Sequence, residues 1–148
     1  MPKVLIILGS KSDMEYADVC SKQLDELGIG NSIEVSSAHR HPERTAHLTS
    51  TAEENGFEVI VAMAGLSAAL PGVAAAHSNL PVIGVPLPAA LDGLDALLSV
   101  VQMPPGIPVA GVAIGKPGAK NAAILAARIL ALKYPETKKT LEAFRKSL

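Results

Sequence analysis

The sequence predicts an α/β fold, a three-layer, doubly wound parallel sheet, on three observations. Short apolar runs alternate with helical segments along the whole chain. The runs are continuously apolar, as strands covered on both faces are. The segments with unusual chemistry follow the C-terminal ends of those runs, the edge at which an open parallel sheet binds ligands.

The first strand is Lys3 to Leu8 (KVLIIL). Ser12 and Asp13 then offer N-caps to an amphipathic helix, Met14 to Leu27, which stops at Gly28 and Gly30. Ser32 to Ser36 is the second strand. Past Pro42, the segment Glu43 to Asn55 reads as a helix ended by Gly56. Val59 to Ala64 is the third strand, and Leu70 to Ser78 a short helix of small residues. Val82 to Val85, bracketed by Pro81 and Pro86, is the fourth strand, followed by a helix from Gly93 to Val101. Val109 to Ile114 completes the strands. An Ala-rich helix, Asn121 to Leu132, is separated by Pro135 from the last, Glu136 to Lys146. Right-handed crossovers make a flavodoxin-like sheet the default arrangement. With no internal repeat, low-complexity tract or long linker, residues 1–148 read as one domain.

A chain of 148 residues buries about two-thirds of the surface of its unfolded form. Its 13 basic and 14 acidic residues nearly balance, so there is no electrostatic footprint for nucleic acid or an acidic membrane. Only 18% of residues are charged while 49% are hydrophobic. That is apolar for a domain of this size, and predicts a homo-oligomer in which other copies cover apolar patches. The single Cys20 lies in a predicted helix and reads as a buried, inert thiol in a reducing compartment. Met-Pro-Lys followed directly by a strand does not resemble a secretory signal. No apolar run reaches the roughly 18 residues of a membrane span. The expectation is a soluble, cytoplasmic protein.

Five segments carry the chemistry: Gly9 to Asp13, Ser36 to Pro42, Gly65 to Gly72, Gly84 to Pro88 and Gly115 to Asn121. The first joins a strand to a helix start through Gly, two Ser and Asp, which suits a phosphate held by backbone N–H groups. It is neither a P-loop nor G-x-G-x-x-G, and Ser12 or Asp13 as a plain N-cap is the alternative. In the second, His39 reads as a general acid/base and Arg40 as an anion clamp. The alternative for His39 is a ring packed against a neighbouring loop. His41 points elsewhere, and His47 and His77 read as surface or capping residues. No Cys or carboxylate stands at zinc-ligand spacing from these histidines. The third segment is small throughout, so that backbone approaches a ligand, or helices pack closely. Lys116 and Lys120 read as solvated loop charges.

Gly9-Ser10-Lys11-Ser12-Asp13, Ser37-Ala38-His39-Arg40, Gly84-Val85-Pro86, Gln102 to Pro108 and Ile114-Gly115-Lys116 together resemble the signature segments of the PurE family of purine biosynthesis. The match runs over nearly the whole chain, in order and at the right spacing. The resemblance implies formation of 4-carboxy-5-aminoimidazole ribonucleotide without metal, ATP or organic cofactor. One branch of the family moves a carboxylate from N5 of N5-carboxyaminoimidazole ribonucleotide to ring carbon C4. The other adds CO₂ directly to aminoimidazole ribonucleotide. It further implies an octamer with the C-terminal segment reaching onto a neighbour. Carried over by position, Ser10, Asp13 and Arg40 hold phosphate and ribose, Ser37 lines the same pocket and His39 shuttles the proton. Gly65, Ser67 and Ala69 belong to the loop that shelters CO₂ beside the ring.

One departure bears on the branch. The mutase branch reads Ala-Ala-His-Leu-Pro-Gly in the third loop, where this chain has Ala68-Ala69-Leu70-Pro71-Gly72. Ser67 and Ala69 match the CO₂-using branch, whereas Arg40 and Gly84-Val85-Pro86 match the mutase. The balance of motifs favours the mutase, with direct carboxylation as the alternative. Two readings from other classes remain. A flavodoxin or receiver module on the same fold lacks its sandwiching aromatics or its carboxylate cluster here. A catalytically retired nucleotide-binding relative would bind a substrate analogue without turnover.

Overall fold

The computed structural model describes residues 1–148. Five strands form one parallel sheet in the order β2-β1-β3-β4-β5: β1 (Lys3–Leu8), β2 (Gly30–Val35), β3 (Val59–Ala64), β4 (Val82–Pro86) and β5 (Ala110–Gly111). Six α-helices cover it: α1 (Met14–Glu26), α2 (Pro42–Ser50), α3 (Leu70–His77), α4 (Leu94–Val101), α5 (Lys116–Leu130) and α6 (Pro135–Lys146). This is the doubly wound, flavodoxin-like order that the alternating pattern predicts. No helix is long and apolar enough to cross a membrane.

Alternation along β1 divides the core in two. Val4, Ile6 and Leu8 face one layer, formed with Ala17, Cys20 and Leu24 of α1, the buried alanines of α5 and Leu141 of α6. Leu5 and Ile7 face the other, with Leu70 and Ala74 of α3 and Ala96 and Val100 of α4. All five of these β1 side chains are fully buried, and truncating one to Ala would cost about 2–5 kcal/mol. Cys20 sits in the first layer, and burial pushes its thiol pKa up to about 12, so it is inert as a nucleophile.

The C-terminal quarter departs from expectation. The fifth strand is two residues long rather than Val109 to Ile114, pairing Ile83 with Ala110 and Gly84 with Gly111. Next in line on β4 is Val85 and then Pro86, which has no N–H for a ladder. The chain instead turns under α5, where a Cβ on Gly118 would lie 1.6 Å from the Ala113 carbonyl oxygen. Only glycine permits that approach. Helix α5 accordingly begins at Lys116 and not at Asn121. Pro117 falls in its first turn, where its missing N–H costs nothing. Lys116 and Lys120 are therefore helical rather than loop residues.

Helix α2 is shorter than Glu43 to Asn55. The hydroxyls of Ser50 and Thr51 bond back to the His47 carbonyl at 3.2 and 2.8 Å. Such bonds compete with continuation of the helix, and turns carry the chain to Gly56.

Candidate active site

The loops after β1, β2, β3 and β4 enclose a cavity of about 600 Å³ at the C-terminal edge of the sheet. Every residue that the resemblance assigns to the site lines it: Ser10, Asp13, Ser37, His39, Arg40, Gly65, Ser67 and Ala69. The fifth segment, Gly115 to Asn121, does not. Lys116 pairs at 3.5 Å with Glu15, and Lys120 is exposed on α5.

After β1, Gly9 leads into a single 3₁₀ turn, Lys11–Asp13, capped by Ser10. The Ser12 N–H donates to Ser10 Oγ at 3.3 Å, and the two serine hydroxyls lie 2.9 Å apart. Ser10, rather than Ser12 or Asp13, is thus the cap. Asp13 precedes α1 without any side-chain capping bond. Burial raises its carboxyl pKa above the usual range, and the charge of Glu15 adds to that shift. A carboxyl left free of protein donors is suited to sugar hydroxyls.

The second loop continues the β1–β2 pairing, with the Ser36 N–H donating to the Leu8 carbonyl at 2.8 Å. It then folds back on itself, the Arg40 N–H donating to Ser37 Oγ at 3.1 Å. The Arg40 guanidinium bonds the Gly9 carbonyl at 3.2 Å and reaches Ser37 Oγ at 3.5 Å. These contacts fix the cation across the mouth of the first loop without neutralising it, since no carboxylate pairs with Arg40. A positioned, uncompensated guanidinium beside two serine hydroxyls is suited to an anion. His39 is exposed at the cavity wall, not packed beneath a loop. His41 stands at the N-cap of α2 without a side-chain bond and lies outside the cavity lining. His77 ends α3 with Nδ1 2.9 Å from the Val73 carbonyl.

The third loop supplies backbone rather than functional groups. Leu66 and Ala68 hold φ of 53° and 20°, a region costly for side chains larger than glycine's. The Ala68 N–H closes a turn on the Gly65 carbonyl at 3.0 Å, and Ala69 starts α3. This strained arc presents the small faces of Gly65, Ser67 and Ala69 to the cavity. Across from it, the Leu87 N–H donates to the Ala64 carbonyl at 3.0 Å, and Leu87, Pro88 and Ala89 close the remaining wall. Sequence reading marked the segment ending at Pro88 by position but assigned its side chains nothing, because they are chemically mute. Leu66 was missed for the same reason.

A family model described as AIR carboxylase matches residues 3–148. The N5-carboxyaminoimidazole ribonucleotide mutases of Pyrococcus abyssi and Saccharolobus solfataricus are 54% and 52% identical to this chain over 149 residues. Those alignments span the whole of this chain and 84% and 93% of the relatives. The Escherichia coli K12 mutase is 48% identical over 146 residues, spanning 98% of this chain and 86% of its own. A crystal structure of Treponema denticola PurE is similar with a TM-score of 0.88 at 32% identity, covering 99% of this chain and 91% of that one.

Proposed function

The chain belongs to the AIR carboxylase family, and from that premise we infer that it is an N5-carboxyaminoimidazole ribonucleotide mutase of purine biosynthesis. It converts N5-carboxyaminoimidazole ribonucleotide to 4-carboxy-5-aminoimidazole ribonucleotide. The observation that carries this assignment to a site is the gathering of Ser10, Asp13, Ser37, His39 and Arg40 around one cavity.

In the reading we favour, the Ser10 hydroxyl and the Arg40 guanidinium hold the phosphate. Asp13 accepts from the ribose hydroxyls, and Ser37 lines the same pocket. Charge-assisted bonds of this kind orient the ring before chemistry. Breaking the bond between N5 and the carboxylate leaves an electron pair on nitrogen, which His39 protonates as CO₂ departs. Ring carbon C4 then attacks CO₂. The proton displaced from C4 returns to His39, restoring aromaticity and the starting protonation state. An imidazole suits both transfers because its ring nitrogens can donate a proton in one step and accept one in the next. The balance is closed, with no cofactor consumed. Between the steps CO₂ must stay beside the ring, and the small residues Gly65, Ser67 and Ala69 leave room for it there.

The second reading, direct carboxylation of aminoimidazole ribonucleotide as a lyase, is favoured by Ala69, which stands where the mutase branch has histidine. Purified protein given each substrate separately separates the two. Turnover of the N5-carboxylated compound without bicarbonate dependence is expected. Turnover only of aminoimidazole ribonucleotide with bicarbonate would reverse the assignment.

The whole of residues 1–148 forms the catalytic domain in this reading, working in the cytoplasm as a homo-octamer. Leu94, Leu98 and Val101 recur along one face of α4 at 55, 50 and 45% exposure, next to the open edge of β5. An apolar face of that kind is suited to another copy of the chain. In the same reading α6 reaches onto a neighbouring copy. Light scattering on parent and Leu98→Lys protein checks the assembly: an octameric mass is expected for the first and a smaller species for the second.

A further inference from the structure

Beneath the loop that carries His39 and Arg40 lies a buried hydroxyl pair that the proposed chemistry does not use. Thr45, on α2, is fully buried, and Ser36, at the end of β2, is 1% exposed. Their hydroxyl oxygens are 2.7 Å apart. Thr45 Oγ1 also lies 3.0 Å from the His41 carbonyl and 3.2 Å from the Ser37 carbonyl. Carbonyls only accept, so the Thr45 proton goes to one of them and Ser36 donates to Thr45. The backbone repeats the tie: the His41 N–H donates to the Ser37 carbonyl at 2.9 Å and the Thr45 N–H to the His41 carbonyl at 3.1 Å. Ser37 and His41 bracket Ala38, His39 and Arg40. One buried side chain therefore holds both ends of the segment whose side chains line the cavity.

We propose that Thr45 is a positioning residue, whose hydroxyl fixes the Ser37–His41 turn so that His39 and Arg40 face the substrate together. The proposal rests on the mutase reading for its chemistry and on the hydrogen-bond geometry for its mechanism. A valine has the shape of threonine without the hydroxyl. In Thr45→Val the Ser36 hydroxyl loses its partner, whichever of the two carbonyls takes the Thr45 proton loses that side-chain donor, and the helix packing is kept. The apolar contacts of α2 are not what the proposal concerns, and Thr45→Ser keeps the hydroxyl while removing the methyl.

The test is steady-state turnover of the parent, Thr45→Val and Thr45→Ser, well below the melting temperature of each. The expected result is a loss of at least tenfold in kcat/KM for Thr45→Val. It should show in kcat through His39 and in KM through Arg40, with Thr45→Ser within threefold of the parent. A role in folding alone would lower the melting temperature and leave kcat and KM where they were, and that outcome overturns the proposal. So does an equal loss in Thr45→Ser. If Thr45→Val does not fold, Ser36→Ala replaces it: a threefold or greater loss in kcat/KM supports the proposal, and a smaller one overturns it. A second measurement is independent of turnover. The imidazole resonance of His39, assigned with His39→Asn, should shift or broaden in the free Thr45→Val protein. An unchanged resonance removes the positioning role even if the protein is a mutase. An inactive parent with a changed resonance removes the mutase reading and leaves the positioning role standing.

Discussion

The two ends of the sheet treat their polar groups in opposite ways. At the N-terminal end, Glu58 accepts from the Tyr134 hydroxyl and from Lys133 Nζ at 2.9 Å. Lys3 stacks its ammonium 4.2 Å from the centre of the Phe57 ring, and the Gly30 N–H is taken by the Pro2 carbonyl at 3.1 Å. Asn31 accepts from Ser21 and donates to Asp25 at 2.7 and 2.9 Å. At the C-terminal end Arg40 has no carboxylate, Asp13 makes no capping bond, and three non-glycine residues, Leu66, Ala68 and Asp92, hold positive φ. One end pairs the charged and polar groups named here within the protein and contributes stability. The other leaves the charges of Arg40 and Asp13 pre-positioned without a charged partner, which costs stability and suits a ligand.

That contrast breaks if changes at the two ends have the same kind of effect. The largest separation is expected from His39→Asn. Removing the proton carrier should lower kcat by roughly 10²–10⁴-fold, while the melting temperature stays near that of the parent, since the ring is exposed. Turnover surviving at the parent level would take His39 out of the mechanism. Next in size is Arg40→Ala. Loss of a charge-assisted contact worth about 1.5–3 kcal/mol predicts a roughly 10- to 150-fold rise in KM for the ribonucleotide. Isothermal titration with a substrate analogue carrying or lacking the phosphate assigns that loss. If both analogues weaken equally, Arg40 does not meet the phosphate.

Much of this division was legible in the sequence, because it rests on residue types that have few other uses. An exposed His-Arg pair after a strand, and a Gly-Ser-Lys-Ser-Asp turn before a helix, mark the functional edge without a structure. The sheet order followed from the alternation of buried runs with helices. What escaped was tertiary in origin. The fifth strand is cut short by Pro86 on its neighbour and by the contact of Gly118 with Ala113, and neither is visible in the run Val109 to Ile114. The wall formed by Leu66, Leu87 and Pro88 has no chemical signature. Thr45 reads as one more helix residue until the loop above it is in place. The tie between Glu58 and Tyr134 joins residues 76 positions apart in the chain, beyond the reach of any local pattern.

That tie gives the smallest effect and the sharpest contrast. Burial alone would push the Glu58 carboxyl up. The hydrogen bonds from Tyr134 and Lys133, with the charges of Lys133 and the amino terminus, outweigh it and leave the pKa below its usual value. A carboxylate with a lowered folded-state pKa contributes stability that is complete above its unfolded pKa of about 4.3 and fades as pH falls through the lower folded value. Lys133 is two-thirds exposed, its side chain being 67% accessible, so solvent screening keeps the contribution small. Glu58→Gln should therefore unfold at lower urea than the parent at pH 7. The gap should close on acidification below about pH 4, with kcat and KM unchanged at neutral pH. A gap that persists at low pH means the loss is one of packing rather than charge. A fall in turnover would mean that the two ends of the sheet are coupled, and that the division drawn between them is wrong.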